Sequence, residues 1–501
     1  MLKFVGRQRE LQVLDTFYKA DDARLLVLYG RRRVGKTSLL THWLDRRNIR
    51  HALFWTATTH GSAYQLREFS QTLLRLDPRH GQPPAEDYAF RNWETAFHYL
   101  IDLAKLTDGP FVVVIDEFTH LVQSESALPS ILQKVWDHAL AKQPNIRLVL
   151  TGSLVGVMEN EVLSVQAPLY GRAQSILRLT PLPFGTLTEL FPQRSPDERV
   201  AIYAVCGGVP AYLNWFTDVR SFSEGMQERC LAPGSLMFGD AALLLSDQLR
   251  GPHIYASVLG SIAFGFHTWR DVARIAGVPD TALGPYLKTL QALEMIQRRE
   301  PVLTPGERSG QSRYYIRDPF LRFYYRFIPR YLSQIERGDL TGVVRTITNE
   351  LRAFIGKYVF EELCREWIWA EAQANKLGFQ PDETGGFWKH TKEKGTAVEL
   401  DVVAVNSVEL RLFIGEAKWE TGQLSRATLT NLIERSRRMP QAASDKWTKQ
   451  FALFAREGFT PALRQEAARL GARLIDLREI EARLSAAARQ PRRLPKGEIL
   501  F

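Results

Sequence analysis

The 501-residue chain is poor in cysteine: Cys206, Cys230 and Cys364 lie far apart and form no C-x-x-C pair. That excludes a disulfide framework and a zinc knuckle, and it points to a reducing compartment. No apolar run approaches the ~20 residues of a membrane-spanning helix. Met1-Leu2-Lys3-Phe4 lacks the apolar core of a signal peptide. The expectation is a cytoplasmic protein with no membrane partner. Acidic residues are also in deficit, 55 against 65 Lys and Arg, for a net charge of +10. An excess of this sign suits a polyanionic partner such as DNA, or simply a basic surface. With 45% hydrophobic and 24% charged residues the chain is globular, and its length allows roughly two to four domains.

What is present centres on one stretch. Gly30-Arg31-Arg32-Arg33-Val34-Gly35-Lys36-Thr37 follows the apolar run Leu25-Leu26-Val27-Leu28-Tyr29. It reads G-x-x-x-x-G-K-[ST], the phosphate-cradling P-loop. A buried strand ends, a glycine turns the chain, and backbone N–H groups point at phosphates. A helix then begins with its positive dipole end at the anion. Gly30 to Thr37 and Ser38 are thus the candidate ATP-binding residues. Lys36 is expected to neutralise the β/γ-phosphates, and Thr37 to offer a hydroxyl to Mg²⁺. Leu39, Leu40, Trp43 and Leu44 repeat at helical spacing behind the loop.

Phe111-Val112-Val113-Val114-Ile115-Asp116-Glu117 reads as a strand buried on both faces and ending in two carboxylates. Strand ends of this kind are where open α/β sheets bind ligands. Asp116 is expected to hold Mg²⁺ and Glu117 to polarise the attacking water; a helix cap is the plainer use of such an Asp. Ile146 to Thr151 is a further strand ending in Gly152-Ser153, and Thr151 or Ser153 is the candidate γ-phosphate sensor. Ser175 to Leu179 makes a fifth strand. Arg172 is a candidate arginine finger, in cis or toward a neighbouring subunit of a homo-oligomer built through this core; a surface arginine is the alternative.

Phe4-Val5-Gly6-Arg7-Gln8-Arg9-Glu10-Leu11 resembles the N-terminal box of AAA+ and STAND-type ATPases, which in that family lies beside the nucleotide base. Gly207-Gly208-Val209-Pro210, near the start of a helix, resembles the lid of the same group. The resemblance implies that Pro210 packs on the nucleotide. From Phe4 to about Leu213 the chain resembles the prokaryotic and archaeal STAND-related AAA+ ATPases. Members of that family often continue into a winged helix and a nuclease-like domain.

Tyr255 to Ile296 fits three short helices, with Asp280 or Thr281 placed to cap the third, Ala282 to Leu293. Gln297 to Ile316 then reads as a two-stranded wing around Pro305-Gly306, a winged helix-turn-helix pattern. The third helix carries Lys288 and almost no other base-reading side chain, whereas Arg298, Arg299, Arg308 and Arg313 fall on the wing. Phosphate contact without base reading fits this distribution, and packing between domains is the alternative. Asp318 to Phe327, dense in aromatics and arginine, suits either base stacking or a buried connector helix.

Residues 350–485 read as helix, three strands, helix, strand, helix. Asp401 ends one strand segment, and after fourteen residues the next strand carries Glu416-Ala417-Lys418. Side chains alternate along a strand, so Glu416 and Lys418 share a face that Asp401 can reach from its neighbour. Carboxylates that hold Mg²⁺ and a lysine that positions water are what phosphodiester hydrolysis needs. The set resembles the PD-(D/E)xK restriction-endonuclease-like fold. The resemblance implies Glu361 as the helix-borne acid, and Glu361, Asp401 and Glu416 as metal ligands. Leu400 stands where that family often has proline. A solvated sheet edge with a Glu–Lys pair is the plain alternative. Arg435, Arg437 and Arg438, and Arg489, Arg492, Arg493 and Lys496 toward the end, add cations for phosphates.

The expected architecture is α/β throughout. A P-loop NTPase parallel sheet covers 1–184, a helical lid 185–248, a winged helix with aromatic connector 249–330, a restriction-endonuclease-like α/β domain 340–485 and a basic tail 486–501. The expected function is ATP binding and hydrolysis, with ATP and Mg²⁺ as cofactors, coupled to a DNA-binding, Mg²⁺-dependent nuclease. The competing reading is an ATP-dependent switch whose C-terminal domain binds DNA or protein without cutting.

Overall fold

The computed structural model describes residues 3–80, 85–246, 249, 251–303, 311–389 and 397–489. The chain divides into two compact units. One is Gly6–Pro181 with Val209–Ala211, and the other is Leu182–Gly208 with 212–489 and the residues before Gly6. The stretch expected as a lid, 185–248, therefore groups with the C-terminal half, save for the three residues around Pro210.

The first unit is built on five strands: β1 Arg24–Tyr29, β2 Ala52–Thr56, β3 Phe111–Asp116, β4 Ile146–Gly152 and β5 Ser175–Arg178. They lie side by side in the order β2-β3-β4-β1-β5, every pair parallel. Both faces of such a sheet are covered by helices, which is why Leu25–Leu28 and Val112–Ile115 are wholly buried. The strand order puts β4 between β1 and β3, so the C-terminal ends of the three central strands meet at Gly30, Asp116 and Gly152.

The helix Lys36–Arg47 follows β1 and is anchored to the N-terminal helix Gln8–Tyr18 through Asp15. Asp15 accepts from Trp43 Nε1 at 3.1 Å and from Arg46 at 2.8 Å, and pairs with Arg47.

The second unit carries a hairpin and a second sheet. Helices Pro252–Ala263, Trp269–Ala276 and Leu283–Ala292 precede the antiparallel hairpin β6 Ile296–Arg299 and β7 Arg313–Ile316. The third helix opens at Leu283, with Ala282 as its cap residue, so neither Asp280 nor Thr281 caps it as expected. Pro305-Gly306 and Arg308 lie outside the described residues. The aromatic run forms the helix Pro319–Glu336, capped by Asp318 on Leu321 N–H at 3.1 Å. Phe320, Phe323 and Phe327 are fully buried, and Arg322 donates to the carbonyls of Ile316 and Tyr358. The phenylalanine rings of this helix and Tyr325 are buried and not available to stack on bases, whereas Tyr324 is half-buried.

The second sheet runs β12-β11-β10-β9-β8, with β8 Glu383–Lys389, β9 Val398–Asn406, β10 Arg411–Lys418, β11 Thr448–Ala455 and β12 Arg473–Asp476. β8, β9 and β10 are antiparallel, and β10, β11 and β12 are parallel. The short β12 was not expected from the sequence. The helix Leu477–Arg489 then packs on the segment around Gly185, where an added Cβ would meet Leu484 O at 2.2 Å. A buried bidentate pair, Arg199 to Glu481 at 2.6 Å through both oxygens, fixes that contact. Among the described residues no helix is long and apolar enough to cross a membrane.

Arg47 beside Asp15 holds that carboxyl down to about 2, with Arg46 adding to it. A carboxylate with a depressed folded pKa contributes stability above about pH 4 that fades as pH falls toward 2. Asp15→Asn is expected to cost about 1 kcal/mol at pH 7, given partial solvent screening. Urea unfolding of both proteins at pH 7 and pH 2.5 checks this: the gap should shrink at the lower pH.

Candidate nucleotide site and acidic centre

β1 ends and the chain turns at Gly30, whose φ is 155° and where an added Cβ would lie 2.2 Å from Leu179 O. Only glycine fits that approach. Arg33 and Gly35 both take positive φ, 69° and 94°, which curls the backbone before the helix opens at Lys36. Lys36 is 5% exposed. Its ammonium donates to Gly30 O at 3.1 Å and Arg31 O at 3.4 Å, and Glu117 Oε1 lies 3.9 Å away. Burial pulls its pKa down, and the charges of Glu117 and Asp116 work against that pull.

Asp116 is nearly buried and fully engaged. Oδ2 accepts from Thr37 Oγ1 at 2.9 Å, and Oδ1 accepts from Thr151 Oγ1 and from Glu117 N–H. Thr37 and Asp116, expected together, are in direct contact. Thr151 bonds Asp116, whereas Ser153 bonds Glu117: its N–H and Oγ–H donate to Oε2 at 3.0 and 2.7 Å. Of the two sensor candidates, each thus holds one carboxylate. Glu117 itself sits at φ 54°, a left-handed conformation uncommon for a residue with a Cβ. Pro210 is close: its Cγ would lie 3.8 Å from a Cβ placed on Gly35.

Arg172 is not at the loop in the way a finger would be. Its guanidinium pairs with Asp137 at 2.7 Å and donates to the carbonyls of Pro168 and Tyr170. Within this chain it stands in a local ion pair and not at the loop.

In the second sheet, the β9–β10 ladder runs from Arg411↔Asn406 to Gly415↔Val402 and stops one pair short of Asp401 and Glu416. The freed N–H of Ala417 is taken up by Asp401 Oδ2 at 3.1 Å, since a buried donor needs a partner. Lys418 Nζ lies 2.9 Å from Glu416 Oε1, and Arg435 holds Glu416 Oε2. Arg365 joins Glu361 Oε2 at 2.8 Å to the carbonyl of Asp401. Asp401, Glu416, Lys418 and Glu361 are therefore brought together.

Burial, then the nearby Glu416 charge, raises Asp401; burial, then Asp401, raises Glu361. Burial would lower Lys418, but the hydrogen bond and charge of Glu416 raise it. Among the described residues no group of three or more His, Cys, Asp or Glu side chains is arranged to hold a metal ion. Glu361, Asp401 and Glu416 do not stand as a ready three-carboxylate cage, because Lys418 and Arg435 occupy Glu416.

The cations expected to meet phosphate are largely engaged within the chain. Arg299 pairs with Glu362, Arg313 with Glu399 at 2.6 Å, and Arg298 with Glu300 at 2.7 Å. Arg489 pairs with Glu189, and Arg438 donates to Ala397 O. Arg437 is exposed. Arg492, Arg493 and Lys496 lie outside the described residues.

A family model described as an ATPase domain predominantly from Archaea matches residues 4–216, and a second, of archaeal and bacterial proteins of unknown function, matches 324–432. An uncharacterized protein of Methanocaldococcus jannaschii is 31% identical over 418 residues, covering 83% of this chain and 88% of that protein. The chain belongs to this archaeal-type ATPase family. A solved Walker-type ATPase of Pyrococcus abyssi is 20% identical, over 64% of this chain and 96% of that one, at a TM-score of 0.47. The Aeropyrum pernix ORC2 protein in its ADPNP–ADP complexes is 13% identical, over 69% and 97%, at a TM-score of 0.38.

One residue of this archaeal-type ATPase escaped the sequence reading as a site residue. Arg7, at φ 66° and 9% exposed, donates to Val34 O at 3.1 Å, to Thr180 O at 2.7 Å and to Glu10 at 3.1 Å. It pins the phosphate loop from behind. Its signal was Gly6-Arg7 in the N-terminal box, read only as a neighbour of the base. Losing a charged hydrogen bond to a buried carbonyl should weaken ATP binding about tenfold or more in Arg7→Ala. Titration with a fluorescent ATP analogue measures this, and Arg7→Lys should recover only part.

Proposed function

We propose that this archaeal-type ATPase binds and hydrolyses ATP at residues 30–38, and that nucleotide state governs a phosphodiester-cleaving centre at Asp401, Glu416 and Lys418. One observation carries the first half: a buried lysine ammonium, held by loop carbonyls, faces two carboxylates at the ends of parallel strands. A desolvated cation beside a curled glycine loop is matched to a polyphosphate. Thr37 Oγ1 and Asp116 Oδ2, 2.9 Å apart, are hard oxygen donors that fit Mg²⁺ and would hold it. When bound, Mg²⁺ supplies charge neutralisation of the phosphate oxygens.

The chain's own residues do the remaining work. Lys36 binds the β/γ-phosphates, with the loop N–H groups cradling them. Glu117, gripped at Oε2 by Ser153, keeps Oε1 toward Lys36 and so orients water at the γ-phosphate end. Pro210, beside Gly35, packs on the nucleotide. The helices 252–292 with the hairpin β6–β7 read as a winged helix used for packing.

The second half rests on the opened end of the β9–β10 ladder. It supports a centre where Lys418 positions water, and where Asp401 and Glu361, close and half-buried, fit a hard cation. Glu416 orients Lys418. DNA, a phosphodiester polymer, is the substrate class that a water-positioning lysine beside cation-binding carboxylates suits.

Lys36→Ala is expected to abolish ATP binding. Glu117→Gln should still bind ATP while hydrolysing it at least ~100-fold more slowly, by phosphate release. With plasmid and with single-stranded circular DNA, each in Mg²⁺ or Mn²⁺, the cutting seen for wild type should vanish in Asp401→Ala and in Lys418→Ala. If wild type and both variants behave alike, the C-terminal centre does not cut, and the switch reading replaces it.

A further inference from the structure

Two acids of the second centre, Glu361 and Asp401, line a slot that Glu416 and Lys418 do not, and one wall of it comes from the hairpin. A cavity of about 420 Å³ lies among the hairpin β6–β7, the helix Glu361–Gln373 and the strands β8 and β9. Arg299 and Tyr315 line it from the hairpin, Glu361 and Trp369 from the helix, and Trp388 and Asp401 from the sheet.

The hairpin is not a loose flap. Val302, which follows β6, is 1% exposed and belongs to the apolar core of the second sheet. Its N–H donates to Gly386 O at 3.0 Å, and Trp388 Nε1 donates to Gln311 O at 2.8 Å. Arg313 pairs with Glu399 and lies 4.6 Å over the Trp388 ring, and Arg299 pairs with Glu362 and lies 4.4 Å over Tyr315. These two guanidinium groups, expected to contact phosphate, are instead paired within the chain.

A space of this size falls in the range that holds a small molecule. It has room for one or two nucleotides. Trp369, 42% exposed, stands on its lining with a ring available to stack on a base. We infer that the centre acts on unpaired nucleic acid — a single-stranded end, flap or extruded nucleotide — and rejects continuous duplex, because the fixed hairpin walls Asp401 and Glu361 into a one-strand slot. This rests on the cleavage reading above. An enzyme confined to such a slot reaches its scissile bond only in a strand that has left the stack.

The test uses the full chain and three labelled oligonucleotides of one sequence: single-stranded, forked and blunt duplex. Anisotropy in EDTA reads binding without cleavage, and a Mn²⁺ time course reads cutting. Expected are binding and cutting of the single-stranded and forked forms at least ~10-fold better than the blunt duplex. Trp369→Ala should lose roughly tenfold in single-strand affinity with ATP hydrolysis unchanged. Equal binding or cutting of duplex overturns the inference, as does single-strand affinity untouched by Trp369→Ala. If no substrate is cut but the strand preference and its Trp369 dependence persist, the cleavage reading fails and the slot stands as a single-strand binding site.

Discussion

A lysine ammonium stripped of water must find charge or dipoles nearby, and the first unit is arranged around that need at Lys36. Two carbonyls of the curled loop and the carboxylates at the end of β3 supply it. The cost of this arrangement is visible in the backbone. Arg7, Arg33 and Glu117 all sit at positive φ around the same spot, and strained residues of this kind cost about 1–3 kcal/mol each. They persist because each that carries function is held from outside: Arg7 by the carbonyls of Val34 and Thr180, Glu117 by Ser153. The strain and the buried charge are two sides of one pre-organised anion site.

The acidic centre of the second unit solves a similar problem with the signs reversed. Here Glu416 is buried and Glu361 and Asp401 are half-buried, and cations and a freed N–H answer them. Opening the β9–β10 ladder at its end gives Asp401 the Ala417 N–H, while Arg365, Lys418 and Arg435 neutralise Glu361 and Glu416. The first centre lies where strands end, and the second where β9 and β10 part while each stays paired on its other side; in both, side chains take over from backbone partners.

Much of this could be read from residue order. The loop at Gly30, the paired carboxylates after β3 and the spacing from Asp401 to Lys418 are local patterns, each tied to one turn or one strand end. The parallel order of the first sheet followed from its doubly buried strands. What escaped depends on contacts distant in sequence. Arg7 reaches across to Thr180, a separation of 173 residues, and nothing in the N-terminal box marks that target. Arg172 carries the same side chain whether it serves as a finger or pairs with Asp137. β12 is four residues long, too short for periodicity to separate it from a loop.

Charge counting was the least reliable guide, for a physical reason. A basic sequence interacts with polyanions only through cations left facing solvent, and folding spends many of them on acids of the same chain. The hairpin β6–β7 is the clearest instance: Arg298, Arg299 and Arg313 all pair internally. Ion pairs partly shielded from water fix geometry more than they add stability. Their consequence is therefore spatial. Arg313 ties the hairpin to β9 through Glu399 and Arg299 ties it to the helix Glu361–Gln373 through Glu362, so two of the pairs shape the surroundings of Glu361 and Asp401. On the proposed reading, recognition at this centre depends on what fits beside Glu361 and Asp401 and stacks there, and attraction to a phosphate backbone is secondary.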